Sequence, residues 1–307
     1  MITIIRKELA DYFTSIRIFI LFLLVFLASA AALYASYQGI RGIEPGTGFV
    51  FLKLFTTSGG VIPSLVTFTA LFVPIIGIAL GFDAINSERS GGTLSRILSQ
   101  PVYRDNVINA KFLAGIVTLS IMMAVTVLVV SGYGLRMIGV PPSAEEIIRL
   151  FLYLVLTIVY GAFWMGLAIL FSVLFRRTAT SLLSSIALWL LFSFFILLIA
   201  PFIANIIAPV TSGAEAELIR NAEVKQMVQR FSPNVLFQEA TAVLLLPEVR
   251  SLGIVSLGER TYMLLNPLSL GQSMLIIWPQ LTSLISLTAV CFAISYVLFM
   301  RQEIRPT

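Results

Sequence analysis

Six long stretches without a single Asp, Glu, Lys or Arg dominate this chain of 307 residues. They cover residues 18–40, 54–82, 112–135, 150–175, 178–214 and 261–300. A helix needs about 20 apolar residues to cross the hydrocarbon core of a bilayer. Each stretch reaches that length, and none shows the alternation of apolar and polar residues that a barrel strand requires. The sequence therefore predicts an all-α integral membrane protein with six transmembrane helices.

The composition agrees with a membrane-embedded chain and removes several kinds of chemistry. Charged residues make up 11% of the chain and the mean hydropathy is +0.99, whereas soluble domains usually carry about 25% charge. Histidine is absent, and Cys291 is the single cysteine. This excludes imidazole catalysis, His-ligated metals and an intramolecular disulfide, and leaves packing as the expected role of Cys291. We expect one transmembrane domain over residues 1–307, with no catalytic residue, metal or cofactor of its own.

The distribution of Lys and Arg predicts the orientation of the chain. With both termini in the cytoplasm, 11 of the 20 Lys and Arg and 6 of the 15 Asp and Glu lie on the inner side. The net charge of +5 then falls entirely on that side, as the positive-inside rule expects. We therefore predict a multi-pass protein of the cell membrane with two cytoplasmic termini. The basic balance is explained by topology, so we expect no nucleic-acid partner.

Residues 1–17 form a separate element ahead of the first span. Apolar side chains recur in it at helical spacing with charged ones between them: Ile2, Ile5, Leu9, Tyr12, Phe13 and Ile16 against Arg6, Lys7, Glu8 and Asp11. This pattern favours an amphipathic helix at the inner membrane interface. A plain polar cap on the first span is the alternative. The apolar run Ile18–Tyr37 is longer than the core of a cleaved signal peptide, so we expect it to remain as a membrane helix.

The connection 209–273, between the fifth and sixth spans, is the only long one. It contains a charged, helix-prone part (Gly213–Phe231), an amphipathic helix candidate (Pro233–Leu246) and a turn-rich part (Pro247–Leu265). We predict a small extracellular cap whose apolar helices dip into the outer leaflet. Pro201 is predicted to break the outer end of the fifth span. No charged residue lies well inside the six spans, which argues against a proton-coupled carrier.

A dense polar island lies between the second and third spans, at Phe82–Lys111. It holds seven of the chain's 35 charged residues: Asp83, Glu88, Arg89, Arg96, Arg104, Asp105 and Lys111. Gly91 and Gly92 are expected to end one helix. The residues that follow supply a cap, an apolar ridge and a stop for a second, short helix: Thr93, then Leu94, Ile97 and Leu98, then Pro101.

This predicted helix suits docking into a groove of a soluble partner, with its apolar ridge buried and Arg96 and Arg104 setting the orientation. The glycines lack the GxxxxGK[ST] spacing of a phosphate-binding loop, so nucleotide binding is not expected here. A solvated basic loop that serves only topology is the alternative. That alternative explains the charge but not the helix start or the apolar ridge.

The order of residues in the island carries further information. It contains Asp83-Ala-Ile-Asn-Ser-Glu88-Arg89-Ser-Gly-Gly92-Thr93-Leu94, then Leu98-Ser-Gln-Pro101-Val-Tyr-Arg104 and finally Lys111. This resembles the signature of ABC-2 type transporter permeases, in which ER is followed by GTL, L-S-x-P, an Arg and a Lys. The N-terminal Arg6-Lys7-Glu8-Leu9 and the six spans are similar to the same family. The resemblance covers essentially the whole chain.

The resemblance implies a function that the composition alone does not give. The segment 83–108 would be a cytoplasmic coupling region that docks into a separate ATP-binding subunit, and residues 1–17 would be the interfacial connector helix. Part of 209–273 would form short re-entrant helices, as in type V exporters. Two permease copies, expected to be identical, would pair in the lipid, with ATP and Mg²⁺ bound by the partner ATPase. Permeases for nitrous-oxide-reductase maturation and for sodium or drug export share this pattern, and the sequence selects none of them.

Two other classes of function remain as alternatives. A stand-alone channel or ion-coupled carrier would want charged or strongly polar groups at the membrane midplane. A membrane-embedded enzyme would need a nucleophile with a base, or a metal site. The residues available favour the membrane subunit of an ATP-driven exporter, which is not an enzyme by itself.

Overall fold

The computed structural model describes residues 1–40, 49–58, 62–92, 103–139, 141–211, 214–248 and 268–302. Within them the chain folds into helices that follow the charge-free stretches. A π-helical turn at Leu191–Phe195 joins α8 to α9. The helices are α1 (Ile2–Thr14), α2 (Ile16–Ile40), α3 (Val50–Thr56), α4 (Leu65–Gly81), α5 (Asn86–Ser90), α6 (Arg104–Ile138), α7 (Ala144–Leu174), α8 (Thr178–Leu190), α9 (Ile196–Ile207), α10 (Glu215–Gln229), α11 (Pro233–Leu245) and α12 (Leu270–Arg301).

Six helical segments in the described residues are long and apolar enough to cross a membrane, which confirms the predicted all-α fold with six transmembrane helices. They are α2, α4 with α5, α6, α7, α8 with α9, and α12. Three of them begin at a capping serine. Ser64 caps α4, while Ser143 and Ser269 form capping boxes with Glu146 and Gln272. These caps satisfy N–H groups at the helix starts, which would otherwise lack partners.

The fifth span runs without a break through Pro201, contrary to the prediction from sequence. Pro201 lies inside α9, which continues from Ile196 to Ile207. The irregularity lies earlier, in the π-helical turn at Leu191–Phe195. A proline removes one helical hydrogen bond, and membrane helices tolerate that loss through local adjustment of the backbone. The predicted break at Pro201 is therefore wrong.

Contacts between helix ends fix the direction of the spans. Arg17 at the start of α2 pairs with Asp83, which follows α4. At the same end of the bundle, Gln302 after α12 donates a hydrogen bond to the Val173 carbonyl at the end of α7. We call this end, which also holds Lys111 of α6, the island end. The opposite end, where α7 and α12 begin, is the distal end.

The core of the bundle is α7, flanked by α4 and α12. Its most apolar window is 67% buried, whereas that of the fifth span is 11% buried. Two glycines of α4 allow α4 to approach α7 very closely. A Cβ atom added at Gly77 would lie 2.6 Å from the Gly161 carbonyl oxygen, and one at Gly81 would lie 2.6 Å from the Met165 carbonyl oxygen. Small residues at such crossings let membrane helices pack backbone to backbone.

This close approach predicts that Gly77→Ala and Gly81→Ala destabilise the protein by about 1–3 kcal/mol, because each new methyl group overlaps a backbone oxygen. Gly132→Ala is the matched control, since a Cβ atom at Gly132 of α6 meets no atom within 4 Å. Helix propensity alone favours Ala over Gly by about 1 kcal/mol, so the control should be neutral or more stable. The thermal unfolding midpoint in mild detergent measures the difference. Equal midpoints for all three variants would contradict the packing argument.

The two helices α10 and α11 form a hairpin that runs back along the spans. Asn221 of α10 donates hydrogen bonds to the Asn205 side chain and to the Ala208 carbonyl at the distal end of the fifth span. Ser232, between α10 and α11, donates to the Phe192 carbonyl in the π-helical turn, at 2.6 Å. We call Glu215–Leu245 the return hairpin. It lies beside the membrane helices, and the extracellular cap with re-entrant helices expected for 209–273 stays a prediction.

Candidate functional site

A cluster of charged side chains joins three elements at the island end. Lys111 of α6 places its Nζ atom 3.0 Å from Glu8 Oε1 of α1 and 2.8 Å from Glu88 Oε1 of α5. Lys7 approaches the same two carboxylates at 3.2 and 3.6 Å, and Asp11 at 3.3 Å. We call these five residues the ionic junction. It links the N-terminal helix to both sides of the polar island.

The members of the junction differ strongly in burial. The side chains of Lys111, Glu8 and Glu88 are 5%, 8% and 10% exposed, whereas that of Lys7 is 54% exposed. Partial burial of Lys7 disfavours its charge, but the attraction of the Glu8 and Glu88 carboxylates outweighs this and raises its pKa to about 12. Buried charges of opposite sign stabilise a structure only while all of them stay paired. Removing any one of the three buried charges should therefore weaken the whole junction.

Two further contacts hold α1 and α2 against the end of α4. The Tyr12 hydroxyl of α1 donates a hydrogen bond to the Leu80 carbonyl at 2.9 Å. Arg17 places Nη1 2.7 Å from Asp83 Oδ2, with its guanidinium 5.4 Å from the centre of the Phe82 ring. Because α1 is pinned by both the junction and Tyr12, it lies firmly against the start of the island.

The turn that leads into the island is fixed by α7. Ser172 Oγ, fully buried, accepts hydrogen bonds from the N–H groups of Ile85 at 2.9 Å and Asn86 at 3.1 Å. The two N–H groups lie at the start of α5. N–H groups at a helix start have no carbonyl of an earlier turn to bond, so they need another acceptor. The turn before α5 is thus held directly on α7.

The C-terminal end of α12 closes the other side of the site. Arg89 of α5 donates a hydrogen bond to Gln302 Oε1. Arg104 at the start of α6 donates to the Gln302 carbonyl at 3.2 Å, and Gln302 Nε2 donates to the Val173 carbonyl at 2.8 Å. Gln302 therefore ties both flanks of the island to the sixth span and to α7.

The sequence-predicted site residues fall into two groups. Glu88, Arg89, Gly92 and Arg104 lie in the described part of the chain and flank the gap in the island. Gly92, the second residue after α5, has a φ of +67°, as a glycine that ends a helix often does. The predicted short helix falls outside the described residues, together with its members Thr93, Leu94, Ile97, Leu98 and Pro101. Its existence and its docking role stay predictions.

The N-terminal residues that were predicted as an interfacial helix do form a helix, α1. Glu8 is buried in the junction, Leu9 is half-buried, and Arg6 is exposed. The apolar residues Ile2 and Phe13 are 69% and 54% exposed. An exposed apolar face is what a helix at a membrane interface needs, although that location stays a prediction.

Sequence reasoning missed the residues that connect the elements. Tyr12 was assigned only to an apolar face, while Ser172 and Gln302 were given no role. Lys111 was noted as the last residue of the island pattern, and its charge at the edge of an apolar stretch is the one signal that could have predicted a buried ion pair. Within the described part of the chain, no three His, Cys, Asp or Glu side chains are grouped so that they could hold a metal ion.

A second polar centre, at the distal end, was also missed. Arg149 of α7 is completely buried. Its guanidinium donates to Glu145 Oε1 at 2.8 Å and to the carbonyls of Leu244 at 2.9 Å and Leu268 at 2.7 Å. It also donates to Ser273 Oγ at 3.1 Å. Arg149 thus fixes the end of the return hairpin and the start of α12 to α7.

Six membrane helices with a polar, multiply connected island at one end define a multi-pass membrane protein. Comparison with known proteins gives the family. The family model described as "ABC-2 family transporter protein" matches residues 2–304. The chain belongs to this family, which confirms the resemblance seen in the island.

Two relatives carry the name "probable ABC transporter permease protein NosY". The protein from Pseudomonas aeruginosa is 29% identical over 189 residues, which cover 59% of this chain and 58% of that protein. The one from Stutzerimonas stutzeri is 29% identical over 93 residues, or 30% of this chain and 32% of that protein. The aligned part therefore spans less than two thirds of either relative.

Proposed function

We propose that this membrane subunit of an ABC transporter works as an exporter, driven by ATP hydrolysis on a separate nucleotide-binding subunit. The segment 83–108 would dock into that subunit from the cytoplasm, and both termini would lie on the same side. ATP and Mg²⁺ would be bound by the partner, and this chain would contribute no catalytic residue. A second, identical copy would complete the translocation path.

The ionic junction is the observation that carries this proposal. Glu88 lies just before the gap at 93–102, and Lys111 lies shortly after it. Both are buried and pair with each other at 2.8 Å, and Lys111 also pairs with Glu8 of α1 at 3.0 Å. A segment that served only topology would not need a buried ionic connection on each side. The arrangement is suited to a segment that receives force.

The hydrogen bonds around the island also indicate which spans such a force would act on. Through Ser172 the turn before α5 acts on α7, the most buried span. Through Gln302 the two flanking arginines act on α12. Packed helices respond to a displacement at one end by moving as rigid bodies, because a close-packed interior deforms little. Docking would therefore move several spans together.

The proposal is tested by isolating the tagged chain from its native membrane in mild detergent and measuring whether an ATP-binding subunit co-purifies and whether the preparation hydrolyses ATP. We expect Ile97→Pro and Arg104→Glu to weaken the complex at least about tenfold, since each removes a helix or a charge contact worth about 1.4 kcal/mol or more at the interface. Both variants should still fold, because Ile97 lies between the spans in the sequence and the half-buried Arg104 contributes a single hydrogen bond, to the Gln302 carbonyl.

Arg136→Glu provides the matched control, since Arg136 is exposed at the distal end of α6, away from the island. It should leave the complex intact. Wild-type affinity and coupled transport in both island variants would disprove the docking role. Transport by the purified chain without any ATPase would instead support the stand-alone carrier.

A further inference from the structure

The return hairpin reaches the middle of the bundle. Phe192, which accepts the Ser232 hydrogen bond, lies 15 residues before Ile207 at the distal end of the fifth span, a distance of about 22 Å along a helix. On the other side, the Phe237 ring of α11 stacks on Tyr160 at 4.4 Å between ring centres. Tyr160 lies near the centre of α7. The tip of the hairpin is therefore as deep in the membrane as the midpoints of two spans.

The two helices of the hairpin differ in polarity. In α11, nine residues are buried among the spans, including Phe237. None of the 15 residues of α10 is buried, and its sequence carries five charges: Glu215, Glu217, Arg220, Glu223 and Lys225. A charged residue near the centre of the hydrocarbon core costs about 2.5–3.5 kcal/mol even by insertion measurements. The charges on the deeper part of the hairpin, Glu223, Lys225 and Arg230, therefore make contact of this face with lipid tails costly.

A polar cluster lies at the deep end of α10. Glu239 of α11 accepts hydrogen bonds from Arg230 at 3.0 Å and from Gln226 at 2.9 Å. Gln280 of α12, which is 4% exposed, donates to the same carboxylate at 3.1 Å. Arg230 and Glu239 thus bring charge to a depth at which the six spans themselves carry none. The sequence alone indicated that charge is missing inside the membrane, and this does not hold once the return hairpin is included.

An open cleft runs along the same face. It has a volume of about 430 Å³ and is lined by Glu223, Gln226, Met227, Arg230 and Phe231. Charged groups at this depth in membrane proteins face other protein groups or a water-filled cavity. The cleft is open, and the exposed charged side chains of Glu223 and Arg230 in its lining favour water, alongside the apolar Met227 and Phe231.

We propose that the exposed face of α10 is the wall of a water-filled vestibule, open at the distal end and closed at mid-membrane by the cluster of Gln226, Arg230, Glu239 and Gln280. The vestibule forms the outer part of the translocation path. The three acidic and two basic residues of α10 nearly balance, so the wall suits a hydrophilic solute of either charge and not a lipid. This inference rests on the proposed transport function and deepens it.

Cysteine accessibility tests the vestibule. In a Cys291→Ser background, which is free of cysteine, single cysteines replace Glu223, Met227 and Phe231 along the exposed face from the distal end to mid-membrane. A membrane-impermeant methanethiosulfonate is added to intact cells, and unreacted thiols are counted after denaturation. We expect all three positions to react at least about tenfold faster than lipid-facing controls, because the reactive thiolate needs water.

Leu198, Phe202 and Ile206 supply the matched controls. They have the same spacing on the neighbouring α9, span much of the same depth, and are 64%, 72% and 81% exposed. Absence of labelling at Met227→Cys and Phe231→Cys would overturn the vestibule. The labelling requires no ATPase, so its failure and failure of the coupling proposal can be told apart.

Discussion

Replacing Lys111 by Met should destabilise the protein by about 3–5 kcal/mol, the largest effect of any single change at the island end. The substitution keeps the length of the side chain but leaves Glu8 and Glu88 buried next to each other without a buried cation. Both carboxylates touch Lys111 within 3.0 Å and are at most 10% exposed. Only the exposed Lys7 then remains to offset their desolvation and mutual repulsion, so α1 should detach from α5 and α6. The thermal unfolding midpoint and the rate of proteolysis within α1 measure this loss.

Lys7→Met is the matched control for Lys111→Met. It removes the same charge from the same cluster, but the Lys7 side chain is 54% exposed, and exposed ion pairs contribute about 0–1 kcal/mol. A second test adds Glu8→Gln and Glu88→Gln to Lys111→Met. Removing all three buried charges should restore much of the stability, because no charge is left unpaired. If Lys111→Met and Lys7→Met unfold at the same temperature, the junction is not a buried ionic connection.

The large features of the fold could be predicted because they are local properties of the sequence. A stretch such as 150–175 must form a helix once it lies in lipid, since no other structure satisfies its backbone. The helix end at Gly92 was predicted for the same reason, because a positive φ is a local property of a glycine. The family followed from a run of residues that are contiguous in the island.

The connections could not be predicted because they depend on which helices become neighbours. Nothing near Glu8 in the sequence indicates that its partner is Lys111, 103 residues away. The family resemblance implied re-entrant helices in 209–273, but the contacts of the return hairpin were missed for a related reason. Counting charges only within the six spans left Arg230 and Glu239 in a loop, whereas the packing of α11 against Tyr160 brings them to mid-membrane. Arg149 was taken as the boundary of an apolar stretch, although tertiary contacts bury it completely.

Replacing Arg149 by Met should be as damaging at the distal end as Lys111→Met is at the island end, with a loss of about 3–5 kcal/mol. The guanidinium donates to two backbone carbonyls, a hydroxyl and a carboxylate, all within 3.1 Å. Met fills part of the space but donates nothing, so the Leu244 and Leu268 carbonyls lose their donor in a buried site. An unsatisfied buried acceptor costs about 1–3 kcal/mol by itself.

Two further variants separate the geometry of Arg149 from its charge. Arg149→Lys retains the charge but offers a single ammonium group, which cannot reach all four acceptors at once, so its stability should lie between those of wild type and Arg149→Met. Arg136→Met, at an exposed position of the same end, should have little effect. The unfolding midpoint in detergent gives the order. If Arg149→Lys is as stable as wild type, charge alone holds the distal end together. If Arg149→Lys instead lies between wild type and Arg149→Met, the planar guanidinium is needed. Its several N–H donors bind α7, the return hairpin and the start of α12 at the same time.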